Sequence, residues 1–373
     1  MSRVRVDAVG DTTSLADRKL RAGQRLLIGI SGAGLTDPER ALIREIRPAG
    51  FILFKRNVEE PAQVKELNRE LATLVPNTHP AILSVDQEGG RVQRVKDGAT
   101  LFPPLRYVGN IDDLELTRRY ARALAAEVRA CGFNLNWAPV ADVDSNADNP
   151  IIGDRSFHRD PDRVARHVAA YIQATQDAGL IACAKHFPGH GDTASDSHLT
   201  LPKVERDRPE LERCELTPFR AAAAANVGTV MTAHVMFPAY DEDNPATMSS
   251  AILDDILRRQ MGYDGVIVSD DLEMKGVRDF FPLRDQLDRS CRATADMFLV
   301  CSEAALQLEV FEDLVRLQED DARHDDLATQ ANRRIDTLRE RFFLNPPRVP
   351  GPEVLKSNEH RDLTLLIRAR GEG

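Results

Sequence analysis

Leu180-Ile181-Ala182-Cys183-Ala184 runs directly into Lys185-His186-Phe187-Pro188-Gly189-His190-Gly191-Asp192-Thr193-Ala194-Ser195-Asp196-Ser197-His198. The apolar run predicts a strand. Pro188 cannot continue a hydrogen-bonded ladder, and Gly189 and Gly191 permit unusual backbone angles, so the strand must feed a loop. The stretch from Lys185 to His198 holds three of the chain's nine histidines, two aspartates and a lysine. No other stretch is so dense in groups that can move protons, and they gather where a strand ends.

Seven more short runs have the same form, at residues 25–31, 50–54, 81–85, 133–139, 229–235, 265–269 and 297–301, each followed by a helical pattern. Their hydrophobicity is continuous rather than alternating, as expected for strands of a parallel sheet buried on both faces. The helices between them carry start and stop signals. Asp160-Pro161 offers an N-cap and a first-turn proline, Val164, Val168 and Ile172 repeat on one face, and Gly179 can end the helix; Thr36 with Glu39 gives a capping box before a second such helix. Eight β-α units predict a single-domain α/β fold, a closed (β/α)8 TIM barrel with its active site at the C-terminal ends of the strands. A doubly wound open sheet is disfavoured, because Gly29-Ile30-Ser31-Gly32-Ala33-Gly34 lacks the dinucleotide-binding spacing after the first strand. The expected organisation is a polar lead-in over 1–22, a barrel domain over 23–344, and a Pro-, Arg- and Glu-rich tail over 345–373 that is too short for another domain.

Composition narrows the function. A hydrophobic content of 42% with 29% charged residues is that of an ordinary globular chain of 373 residues. The formal net charge of −10 argues against a nucleic-acid partner, whose phosphates demand clustered Lys and Arg. No apolar run approaches a membrane span, and Met1-Ser2-Arg3-Val4-Arg5 lacks the apolar core of a signal peptide, so a cytoplasmic protein is expected, without membrane association. Cys131, Cys183, Cys214, Cys291 and Cys301 are odd in number and widely spaced, as for reduced thiols. The expected partner is a small, neutral molecule.

Other strand ends carry groups that suit a sugar. Val85-Asp86-Gln87-Glu88-Gly89-Gly90-Arg91-Val92-Gln93-Arg94 places a carboxylate and arginines around a Gly-Gly turn; a carboxylate accepts from adjacent hydroxyls and a guanidinium donates to their oxygens. Arg155 follows a Gly-Asp turn and is a further ligand candidate. Trp137, the chain's only tryptophan, reads as barrel-wall packing beside Ala138-Pro139 rather than as a sugar platform. Asp142 and Asp144 have some metal-loop character, but the regular calcium spacing is missing. His186 and His190 are separated by Pro188-Gly189, which excludes a helical zinc motif; no metal and no cofactor is assigned. After the seventh strand, Ser269-Asp270-Asp271 offers one aspartate as a nucleophile. Strand alternation sends the other away, to cap or brace the following loop.

Taken in order, Val85 through Arg94, Gly153-Asp154-Arg155, Lys185 through His198 and Val268-Ser269-Asp270-Asp271 resemble the motifs of family 3 glycoside hydrolases, specifically the single-domain, NagZ-type β-N-acetylglucosaminidases of bacterial peptidoglycan recycling. The resemblance spans about residues 25 to 340. It implies Asp270 as nucleophile, His198 supported by Asp196 as acid/base, and Asp86, Arg94, Arg155, Lys185 and His186 as the residues that hold the sugar. The implied substrate is a small carbohydrate, a GlcNAc-containing muropeptide or oligosaccharide. Retaining hydrolysis ordinarily pairs two carboxyl groups; imidazole can replace one because it exchanges protons near neutrality, and a neighbouring aspartate can fix its tautomer. Gly189 and Gly191 suggest hinges that let the loop close over bound sugar, while His190 and Asp192 would hold its shape. Alternative readings are a β-N-acetylglucosaminide phosphorylase, a β-glucosidase of the same family, a non-catalytic sugar-binding barrel, and a metal-dependent hydrolase built on the histidine-rich loop.

Overall fold

A computed structural model describes residues 13–193 and 201–372. Among these, the strands β1 (Leu26–Ile28), β2 (Gly50–Leu53), β3 (Ile82–Val85), β4 (Leu135–Asn136), β5 (Ile181–Phe187), β6 (Thr229–Thr232), β7 (Val266–Asp271) and β8 (Met297–Val300) pair in chain order and close on themselves. All the barrel pairings are parallel. Leu27 stands opposite Gly50, Gly50 opposite Ile82, Ser84 opposite Leu135, and Leu26 opposite Phe298 where β8 closes onto β1. The fold is the expected (β/α)8 barrel, with one strand in each of the eight apolar runs.

Burial on both faces explains why those runs do not alternate. One set of side chains, including Leu27, Ile52, Ile82, Leu135, Trp137, Ile181, Cys183, Val266, Val268 and Leu299, fills the barrel interior. Ile335, Leu338 and Phe342, from the helix Ala322–Phe343, pack with this set. The other set, such as Leu26, Phe51, Leu83, Val85, Ala182 and Phe298, faces the surrounding helices. Trp137 is fully buried in the interior set, so it belongs to the barrel wall and not to a sugar platform.

Local signals set the helix ends. Thr36 and Glu39 form the reciprocal cap of helix Asp37–Ile46, and Asp160 caps Pro161–Asp177 through the amides of Asp162 and Arg163. Within the polar lead-in, Leu15–Gly23 is helical, because Ser14 and Asp17 cap each other's backbone. The tail lies along the barrel's outside. Its helix Asn358–Gly371 packs on helix Leu105–Ile111, burying Leu363 and Ile367. His360 Nδ1 lies 2.7 Å from Glu127 Oε1, and the same buried carboxylate accepts from the amide of Thr100. No helix among the described residues is long and apolar enough to cross a membrane.

Candidate active site

A cavity of about 270 Å³ opens where β3, β5 and β7 end. It is lined by Asp86, Glu88, Arg94, Arg155, Lys185, His186, His190, Asp270 and Asp271, with Ile52, Phe54, Met231, Met274, Leu299 and Cys301 as apolar wall. Six of the residues singled out in the sequence therefore meet in one place: Asp86, Arg94, Arg155, Lys185, His186 and Asp270. Asp196 and His198 lie outside the described residues.

The polar side is a charge network centred on Glu88. Arg155 grips it with two parallel bonds, Nε to Oε2 and Nη2 to Oε1, each 2.9 Å. Lys185 Nζ stands 2.7 Å from Glu88 Oε1 and 2.9 Å from Asp86 Oδ1, while Arg94 Nη2 stands 3.4 Å from Asp86 Oδ2. The Arg94 guanidinium also lies 5.6 Å from the Phe54 ring centroid. Burial opposes ionisation of Glu88, but Arg155 and Lys185 outweigh it and hold the carboxyl well below the usual carboxylate range. Burial likewise works against the charge on Lys185 and on Arg155. The neighbouring carboxylates prevail in both, and both stay cationic. A pair desolvated this far is rigid, because releasing one partner strands the other's charge.

Glu88, the hub of this network, is not among the site residues that the sequence points to. Its signal was present, since Asp86 and Glu88 are two residues apart and two-residue spacing on extended backbone puts side chains on one side.

His186 is held by Asp142. Asp142 Oδ2 lies 2.8 Å from His186 Nδ1, and its two oxygens accept from the backbone amides of His186 and His190. Asp142 is fully buried and Asp144 pairs with Arg106 and Arg159, so both aspartates of the metal-like loop are engaged by protein groups. His190 is held in the loop: Thr193 Oγ1 lies 2.7 Å from its Nδ1, and Asn149 Nδ2 donates to its carbonyl at 2.8 Å. Nothing in the spacing of 142 and 186 reveals their meeting. Val140 bridges to Lys185 in parallel, and this tertiary contact brings Asp142 to the end of β5.

Simple alternation fails at two strand ends, both at this cavity. β5 loses register with β6 between Ala184 and Phe187, and Lys185 and His186 both face the cavity. β7 runs through Asp271, yet its register with β8 shifts between Val268 and Asp271, and Asp270 and Asp271 both line the cavity. A bulge of this kind re-aims side chains that strict pleating would send apart. Asp271 also braces the loop, as expected for the second aspartate: its Oδ1 accepts from the amides of Glu273 and Cys301. Burial, with Glu273 and Asp270 nearby, pushes its carboxyl up to about 7.

The two loop glycines are closely packed. Gly189, at φ 141°, lies against Glu215, where a Cβ would stand 2.7 Å from Oε2. Gly191 lies on the Val143 carbonyl, where a Cβ would come within 1.6 Å of the oxygen. Both positions are restricted to glycine by close approach.

Residues 22–338 match the glycosyl hydrolase family 3 N terminal domain. The chain is 39% identical over 284 residues to a beta-hexosaminidase of Nitrosomonas eutropha, covering 74% of this chain and 80% of that protein. It is 39% identical over 281 residues to a beta-hexosaminidase of Pseudomonas aeruginosa, covering 75% and 83% of the two chains. Its structure is similar to that of NagZ from Neisseria gonorrhoeae in complex with N-trifluoroacetyl-D-glucosamine, with a TM-score of 0.74, 32% identity, and coverage of 93% of this chain and 98% of that one. A match running through all eight strands of the barrel, with the motif residues gathered at one cavity, leaves one assignment: the chain belongs to glycoside hydrolase family 3.

Proposed function

We propose that the protein is a retaining exo-β-N-acetylglucosaminidase that removes terminal non-reducing β-N-acetylglucosamine from peptidoglycan-derived muropeptides, by double displacement through a covalent glycosyl-aspartate. The observation that carries this reading is a carboxylate, Asp270, set across one small cavity from a fork of Asp86, Glu88, Arg155 and Lys185. In an eight-strand ring, β7 stands opposite β3, so a ring held by the fork offers its far edge to Asp270. The volume, about 270 Å³, lies just below the roughly 300–1,000 Å³ of pockets for larger ligands and suits a single pyranose, hence exo action. Five unpaired cysteines suit the reducing cytosol.

Each residue then has a task. Lys185 gives two of its three N–H groups to Asp86 and Glu88 and keeps one for a sugar oxygen. Asp86 and Arg94 take adjacent hydroxyls. His186, its Nδ1 held against Asp142, offers Nε2 to a hydroxyl. Asp270 attacks the anomeric carbon as the glycosidic C–O bond breaks, and the His198 imidazolium gives its proton to the departing oxygen. Water then attacks the same carbon, His198 takes its proton, and the ester to Asp270 breaks. Asp196 holds the imidazole in the required tautomer.

A slow fluorinated N-acetylglucosaminide should leave a sugar attached to Asp270, found by peptide mapping. Release of an oxazoline, the product of attack by the substrate's own acetamido oxygen, would sink the double displacement. Asp270→Ala should lower the rate by several orders of magnitude, and turnover of N-acetylglucosaminides should exceed that of the matching glucosides.

A further inference from the structure

We infer that His234 is a positioning residue for the nucleophile: just beyond β6, its imidazole holds the carbonyl of Asp271 and so fixes the backbone from which the Asp270 carboxylate is aimed at the cavity. The inference rests on the reading of Asp270 as nucleophile.

β6 and β7 pair regularly as far as Met231 opposite Val268. Beyond that point β7 also slips against β8, between Val268 and Asp271, where Asp270 and Asp271 both turn toward the cavity. The end of the strand has thus left the regular ladder, and its backbone groups need other partners. The peptide unit after Asp271 finds one on each side. Its N–H, from Leu272, donates to the Leu299 carbonyl of β8 at 3.0 Å. Its carbonyl, from Asp271, lies 3.2 Å from His234 Nε2. A carbonyl only accepts, so Nε2 carries the proton. The imidazole of His234 stands in for a ladder amide, and the peptide is spanned between the chains on either side of β7.

His234 is itself held firmly. It is 1% exposed, and Thr247 Oγ1 lies 3.0 Å from its Nδ1 and 2.8 Å from Thr232 Oγ1. The Ala233 amide donates to the Phe187 carbonyl at 2.8 Å, which ties the segment to β5. At the other end of the chain of contacts, the Asp271 amide donates to Asp270 Oδ1 at 2.8 Å, so the carboxylate takes its aim from the residue whose carbonyl His234 grips. The amides of Glu273 and Cys301 hold the side chain of Asp271 and leave its carbonyl to His234. His234 is not among the residues lining the cavity, so it acts through Asp270. Misplacing an attacking oxygen by about 1 Å costs on the order of a hundredfold in rate. The sugar-holding fork of Asp86, Glu88, Arg155 and Lys185 belongs to other segments and does not include this bond.

The test reads the attack of Asp270 directly. A slow fluorinated N-acetylglucosaminide with a dinitrophenyl leaving group, whose departure needs little acid assistance, labels the enzyme at a measurable rate. That rate constant, the dissociation constant of N-acetylglucosamine and the melting temperature are compared for the wild type, His234→Leu and His234→Gln. In His234→Leu labelling should slow about tenfold or more, while binding of N-acetylglucosamine changes less than about threefold. Glutamine offers an N–H at a similar reach and should recover most of the loss. Labelling of folded His234→Leu within about twofold of wild type, binding that weakens in step with labelling, or a glutamine variant as slow as the leucine one would each overturn the inference. If His234→Leu does not fold, Thr247→Val, which frees the ring at Nδ1, should slow labelling about threefold or more with the same split from binding, and an unchanged rate would overturn the inference. A wild-type label found on a residue other than Asp270 sinks the nucleophile reading and this inference with it, an outcome distinct from failure of the His234 arm alone.

Discussion

Glu215→Gln should change the stability of the fold by an amount that depends on pH. Glu215 is fully buried beneath the loop; burial, opposed by the Ser145 hydroxyl and Arg206 and reinforced by Asp142 and Asp192, pushes its carboxyl up to about 7 from an ordinary 4.5. Between those values the folded chain holds a proton that the unfolded chain has released. Stability is therefore lost as pH rises, and the loss is complete above the folded value. From about pH 5 to about pH 8.5 this one group costs the wild-type fold about 2.5 kcal/mol. Glutamine does not titrate, so the variant escapes that loss. Any fixed cost of the amide is present at both pH values and cancels in the difference, as does the similar contribution of Asp271. Denaturant unfolding followed by the fluorescence of the lone, buried Trp137 measures it directly. The variant should gain about 2.5 kcal/mol on wild type between the two conditions. A gain below about 0.5 kcal/mol, with equal m values, would refute the claim that Glu215 is held neutral by burial.

Arg155→Met removes the bidentate partner of Glu88 and leaves a buried carboxylate with Lys185 alone, which should destabilise the fold by about 3 kcal/mol in the same unfolding assay and raise KM. Asp142→Asn replaces the charge that orients His186; loss of a charge-assisted bond worth about 1.5–3 kcal/mol should lower kcat/KM roughly ten- to hundredfold, with a smaller effect on the melting temperature. Deleting residues 346–373 strips His360 from Glu127 and uncovers the surface beneath Leu363 and Ile367, so the truncated chain should melt at a clearly lower temperature or fail to accumulate in soluble form.

Much of the architecture was legible because it is written in local terms. Each apolar run that stops at a proline, glycine or charged residue became a barrel strand, and the caps at Thr36 and Asp160 lie where their side chains announce them. The helix Leu15–Gly23 was missed because only Ala22 and Gly23 of it are buried, leaving almost no apolar pattern to read. Gly189 and Gly191 carry a packing role that the sequence does not show. A glycine required by a neighbour's close approach leaves no mark of its own in sequence, and only the positions of Glu215 and Val143 reveal it.

The site divides along the same line. The order of motifs along the chain determined which residue types stand at the strand ends, and a closed ring of parallel strands brings such ends to one face. That reasoning, together with the resemblance to family 3 glycoside hydrolases, pointed to Asp86, Arg94, Arg155, Lys185, His186 and Asp270, which line one cavity. The sequence could not decide which of these groups carry one another's charge. Glu88 as hub, Asp142 as the brace of His186, and the turning of both Asp270 and Asp271 toward the cavity depend on register shifts and on contacts between residues as many as 99 positions apart. Pleating and capping act over a few residues and leave a periodic trace. An ion pair across a barrel mouth leaves none, because its two halves meet only after the ring has closed.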